Sequence, residues 1–149
     1  TYQIGAARIK AVQFYKIYIY NDHDKRSKGE WTISFLAQQA NNEGRGSSWE
    51  SVLRDYQWGE GEHAINNLLL SPTLGGNDIL LIRVDATEED PMSYDHCGKV
   101  QIYHSPDGTH SDFLDSEGYY LIGSWKGGGE FSAVSDKGDY KIYYRIILE

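Results

Sequence analysis

The closing stretch "GDYKIYYRIIL" alternates strictly: Tyr140, Ile142, Tyr144 and Ile146 fall on one side of an extended chain, and Lys141, Tyr143, Arg145 and Ile147 on the other. A side-chain period of two belongs to a strand and not to a helix, so this segment can bury a face only by joining a sheet. The same alternation, or enrichment in β-branched and aromatic residues, predicts strands at 7–20, 31–38, 63–70, 79–84, 99–104, 119–125 and 140–148. Turn chemistry separates them in "NNEGRGSS", "SPTLGGND", "SPDGTHSD", "KGGGE" and "SDKGD". No long helical pattern intervenes, which argues against a doubly wound parallel sheet. The expectation is an all-β, mostly antiparallel β-sandwich of seven to eight strands. One segment has a helical alternative: in "SSWESVLRDYQW", Ser48 could cap a helix presenting Trp49, Val52, Leu53 and Tyr56 on one face.

A chain of 149 residues suits a single domain, 1–149, burying roughly two-thirds of its unfolded surface. With Cys97 as its one cysteine there is no intrachain disulfide, so stability must come from the core or from a metal. Fourteen basic against 22 acidic residues give a formal charge of −8, which repels phosphate backbones and argues against a nucleic-acid partner. The compartment stays open.

The charge is concentrated. "NDHDKRSKGEW" carries Asp22, Asp24 and Glu30, and "VDATEEDPMSYDHCGK" carries Asp85, Glu88, Glu89, Asp90 and Asp95. Each follows a strong strand and reads as a loop. If the two meet at one end of a sandwich, carboxylates crowd together, and two unit charges ~6 Å apart cost about 3 kcal/mol at an effective dielectric near 20. A hard divalent cation removes that cost. Calcium, with six to eight oxygen ligands in a flexible geometry, is the expected cofactor, held by Asp22, Asp24, Glu30, Asp85, Glu89, Asp90 and Asp95. The bland alternative is a pair of solvated loops, the first neutralised by Lys25, Arg26 and Lys28. An EF-hand is excluded, because "DATEEDPMSYDH" lacks that loop's central glycine and closing glutamate. A zinc alternative draws on His96 and Cys97 with His23. His104 and His110 flank a turn and are expected to be exposed, and Asp136, in another turn, is expected to be remote from the site.

These two stretches resemble the C2 domain, the conserved region 2 of protein kinase C. "LLIRVDATEEDPMSYDHCGKVQIY" is similar to that family's third loop, with a hydrophobic strand running into Asp85, further acids, and Asp95 and Gly98 leading into the next strand. "NDHDKRSKGEWTISF" resembles its first loop, with Asp22 ending one strand and Glu30 opening the next; Gly29-Glu30-Trp31 stands where the family usually has Asp-Pro-aromatic. The resemblance implies a β-sandwich binding calcium at one end and, through it, anionic phospholipid. Pro91, Met92 and Tyr94 would then form the contact at the loop tip.

The residues leave three roles open. In the first, calcium clamps the acidic loops to stabilise the fold or a structural, extracellular or surface assembly, with self-association or another protein as partner. The second is calcium-dependent phospholipid binding. The third is a lectin-like module using Trp49, Trp58, Trp125 and the tyrosines as sugar platforms. No nucleophile elbow, metalloprotease helix motif, P-loop or dinucleotide fingerprint is present, and the chain is expected not to be an enzyme.

Overall fold

The computed structural model describes residues 9–23, 29–41, 44–70, 74, 78–90, 93–108 and 120–149. Among the described residues, nine strands form two sheets. The first sheet has the order β4-β1-β9-β8, from Gly61–Leu70, Ile9–Ile19, Tyr140–Leu148 and Gly129–Val134. The second has the order β3-β2-β5-β6-β7, from Gly44–Trp58, Gly29–Asn41, Ile79–Asp90, Ser93–Ser105 and Tyr120–Ser124. All neighbours are antiparallel except β6 and β7. The expected all-β, antiparallel-dominated sandwich is the observed fold.

The alternation of the last strand is realised directly. Tyr140, Ile142, Tyr144 and Ile146 are buried and meet the inward residues of the other sheet. Aromatic contacts bridge the layers: Phe14 of β1 lies 4.7 Å from Phe35 of β2, and Trp31 of β2 meets Tyr140 edge-on at 6.1 Å. One cluster of buried apolar residues runs through both sheets. Burying such side chains contributes about 1.5–3 kcal/mol each, so this layer is the main source of stability.

Three sequence expectations are corrected. The segment 47–58 is strand, not helix: Ile33 pairs with a partly buried Leu53, while Ser34 pairs with Val52, which is exposed. Adjacent apolar residues on opposite faces have the period of a sheet, and pairing with β2 overrides the local helical pattern. Strand β8, after the Gly127 to Gly129 run, has no counterpart among the predicted strands. The acidic stretch after Val84 is not a long loop, since β5 continues to Asp90 and β6 begins at Ser93.

The register collects one end of the sandwich. Ile19 pairs with both Gly61 and Tyr140, Gly29 with Trp58, and Glu30 with Glu89. The end of β1, the start of β2, the β5–β6 hairpin and the β8–β9 turn therefore share one mouth between the sheets.

Candidate metal centre at the mouth of the sandwich

Along β5, Val84, Ala86 and Glu88 are buried, whereas Asp85 and Thr87 are half-buried and Glu89 is exposed. A strand sends successive side chains to opposite faces, so the acidic run is split. Glu88 points inward, opposite Trp31 on β2 and Asp95 on β6. Cys97, fully buried, follows Asp95 on the same face. Glu88 is wholly enclosed, and one of its carboxylate oxygens accepts from the Glu30 amide at 3.3 Å.

The β8–β9 turn is bolted onto this hairpin. Lys99 and Asp136 exchange two hydrogen bonds: the Lys99 amide donates to the Asp136 carboxylate and the Asp136 amide to the Lys99 carbonyl, both at 2.9 Å. The Ser135 hydroxyl donates to the Cys97 carbonyl at 3.0 Å and accepts from the Asp139 amide at 3.1 Å. One buried hydroxyl thus sets the spacing of Cys97 and Asp139. Gly98 makes the approach possible: its φ is +91°, and a Cβ there would lie 2.9 Å from the Lys137 nitrogen.

The segment after β1 closes the third side. The Asp139 carbonyl accepts from the amides of Tyr20 at 2.8 Å and Asn21 at 3.2 Å. The Asn21 side chain accepts from the His23 amide at 2.9 Å, a local turn that holds His23 at φ 56°. The imidazole then reaches Asp139, with Nε2 to Oδ2 at 2.6 Å. One ligand atom each from His23, Cys97 and Asp139 lie within 4.8 Å of one another.

The electrostatics are those of a site short of positive charge. Burial pushes the Cys97 thiol up to about 12, and the nearby carboxylates of Asp139, Glu88 and Asp95 push in the same direction. Burial, followed by acids including Asp85, Asp136 and Asp139, holds the Tyr140 hydroxyl well above its usual range.

The sequence-selected acids are dispersed. Asp22, buried beside His23, and Asp95 lie at the mouth. Asp85 faces the outer side of the five-stranded sheet and pairs with Arg83 at 2.9 Å. It lines a groove of about 540 Å³ with Ser34, Tyr94, Lys99 and Asp136. Glu30 and Glu89, both exposed, pair with each other across β2 and β5. Tyr94 is 55% exposed and packs edge-on against His96, which also faces outward. The side chains of Asp24, Asp90, Pro91 and Met92 lie outside the described residues. Asp136, expected to be remote, is instead part of the bolt that carries Cys97.

The fit to calcium can be judged on these donors. Calcium takes oxygen ligands, whereas the three atoms brought together are an imidazole nitrogen, a thiol sulfur and a carboxylate oxygen. The triad does not fit calcium. Asp139 immediately precedes the clearest strand of the chain, and that adjacency is its one signal in the sequence. Glu88 was recoverable by counting in twos from Val84.

Other expectations change as well. Trp125 is fully buried, its indole donating to the Asp78 carbonyl at 2.7 Å, and Trp58 is stacked on His63 at 5.3 Å and nearly buried. Neither is available as a sugar platform, because each fills the interior, and the Trp49 side chain lies outside the described residues. His104, expected at the surface, is fully buried; the inward parity of Val100, Ile102 and His104 on β6 places it there.

Compared with known proteins, the chain matches no family model and no curated protein. It is similar to a solved structure described as "Structure of a C2 domain", with 14% identity, coverage of 96% of this chain and 98% of the other, and a TM-score of 0.41. At that identity no residue roles transfer.

Proposed function

We propose that the chain is a non-enzymatic β-sandwich module whose acidic end is closed by a bound cation, which clamps the segment after β1 to the β5–β6 hairpin and the β8–β9 turn. The observation that supports this is the inward convergence of Glu88, Asp95, Cys97 and Asp139 with His23. Buried negative charge of this kind is self-repelling until a cation enters. The clamp joins strands of both sheets, so its role is structural: it fixes the end of the module that another protein or a second copy would meet. Calcium, the cation expected from the sequence, is the oxygen-only form of the same reading.

Thermal unfolding in chelator, then with calcium, magnesium and zinc each in excess, tests the proposal. An increase of several degrees with one ion supports a cation-closed module, and identical transitions in all four conditions rule it out. Co-sedimentation with anionic vesicles in the stabilising ion distinguishes a lipid partner from a protein one. Tyr94 is the described residue whose replacement should then matter.

A further inference from the structure

We propose that His23, Cys97 and Asp139 form a structural site for a borderline-soft divalent ion of the zinc class, stapling the two sheets together at the acidic end. This rests on the cation-closed reading and specifies the chemistry of its ion. Imidazole nitrogen, thiolate sulfur and carboxylate oxygen are the three ligand types that zinc accepts, whereas calcium and magnesium take oxygen alone.

The geometry is close to what such an ion needs. Bonds of about 2.0 Å to nitrogen and oxygen and 2.3 Å to sulfur place tetrahedral ligand atoms roughly 3.3–3.6 Å apart. The three atoms lie within 4.8 Å of one another, and the tightest pair, His23 Nε2 and Asp139 Oδ2, is now joined by a hydrogen bond at 2.6 Å. An ion replacing that bridging proton needs the pair to open by less than about 1 Å. His23 is 27% exposed in its side chain and Asp139 11%, so the triad borders solvent and an ion can enter without unfolding the core.

Each ligand is anchored by its own backbone, so the site is assembled before any ion arrives. Asn21 holds His23, and the Ser135 hydroxyl holds both Cys97 and Asp139. On binding, bonds form from the metal to the imidazole nitrogen, the thiolate and the carboxylate; the thiol proton leaves to solvent, and the proton that bridged His23 and Asp139 passes to Nδ1 of the imidazole or leaves with it. The remaining position falls to water or to a carboxylate of the mouth. The two sheets gain a cross-link: His23 and Asp139 flank β1 and β9 of one, and Cys97 lies in β6 of the other. In a chain with one cysteine, a metal is the covalent-strength staple available.

The test uses the full chain with zinc in competition with a chromophoric chelator, and with cobalt(II) as a spectroscopic stand-in. One ion per chain should bind, and the cobalt form should show a thiolate-to-metal charge-transfer band with intense tetrahedral d–d absorption. Removing a ligand should weaken zinc binding more than about 100-fold, beyond the 10–100-fold typical of groups one shell further out. That loss is expected in Cys97→Ser, which also loses the charge-transfer band, in Asp139→Asn, and in His23→Gln, whose part-exposed side chain can change without disturbing the core. His96→Gln and Asp85→Asn, on the outer face, should bind as the parent does. Zinc affinity unchanged in His23→Gln and Cys97→Ser overturns the assignment. Stabilisation by calcium without zinc binding overturns it too but keeps the cation-closed module. No response to either ion overturns both.

Discussion

His23 and His104 occupy opposite halves of the same sandwich, and each imidazole meets a polar side chain at nearly the same distance: Asp139 at 2.6 Å and the Tyr144 hydroxyl at 2.7 Å. Their surroundings differ completely. His23 borders solvent among carboxylates, beside a thiol. His104 is fully enclosed, with Phe131 edge-on at 4.5 Å and Tyr144 at 5.7 Å. Burial there lowers the imidazole from its ordinary 6.5 to about 3. Uncharged hydrogen-bond partners inside an aromatic shell make a neutral core residue, whereas a carboxylate partner in an acid-lined mouth makes a ligand. Environment, more than residue type, assigns the role.

The largest test of this contrast is pH. The folded-state value of His104 lies below its unfolded value, so as pH falls the unfolded chain takes the proton first. Its contribution is complete above about pH 6.5 and declines by about 1.4 kcal/mol per pH unit toward pH 3, about 4–5 kcal/mol in all. Urea unfolding in chelator from pH 7.5 to 4.5 should show this slope in the parent and a shallower one in His104→Gln. Equal slopes would mean that His104 is not the group being protonated.

Next in size is the ion. At 100 times its dissociation constant, zinc should add about 2.7 kcal/mol to the stability of the parent and less than about 0.4 kcal/mol to His23→Gln. In the far half, Tyr144→Phe removes the hydroxyl that meets His104 and should cost about 1–3 kcal/mol, independently of added metal. Metal-dependent destabilisation by that substitution would blur the two regions into one.

Two smaller effects sharpen the mouth itself. Asp136→Ala removes the acceptor of the Lys99 amide, and should cost about 1 kcal/mol and weaken zinc binding by loosening the strand that carries Cys97. Asp85→Asn breaks an ion pair whose partners are 40% and 44% exposed, and should change stability by less than about 0.5 kcal/mol. A strong loss of metal from Asp85→Asn would restore the site expected from composition.

The strands and sandwich were legible because burial of one sheet face writes a period-two pattern directly into the sequence, as in 140–148. The segment 47–58 misled because Trp49, Val52, Leu53 and Tyr56 also satisfy a helical period, and only the partner β2 decides between them. The candidate site was legible as a region and not as a set of atoms. Reading 85–95 as a loop let all its acids converge, while the hairpin sends Glu88 inward and Asp85 and Glu89 outward.

By itself, then, the sequence determined an antiparallel β-sandwich, an acidic character, and two charged stretches following strong strands. Those properties are local, set by side-chain period and composition. Tertiary structure decided which donors share the mouth, by bringing residues 23, 97 and 139 together through strand register and a single serine hydroxyl. It also decided that His104 is core. Contacts between residues so far apart in the chain depend on how the sheets pair and stack, and no local pattern encodes that.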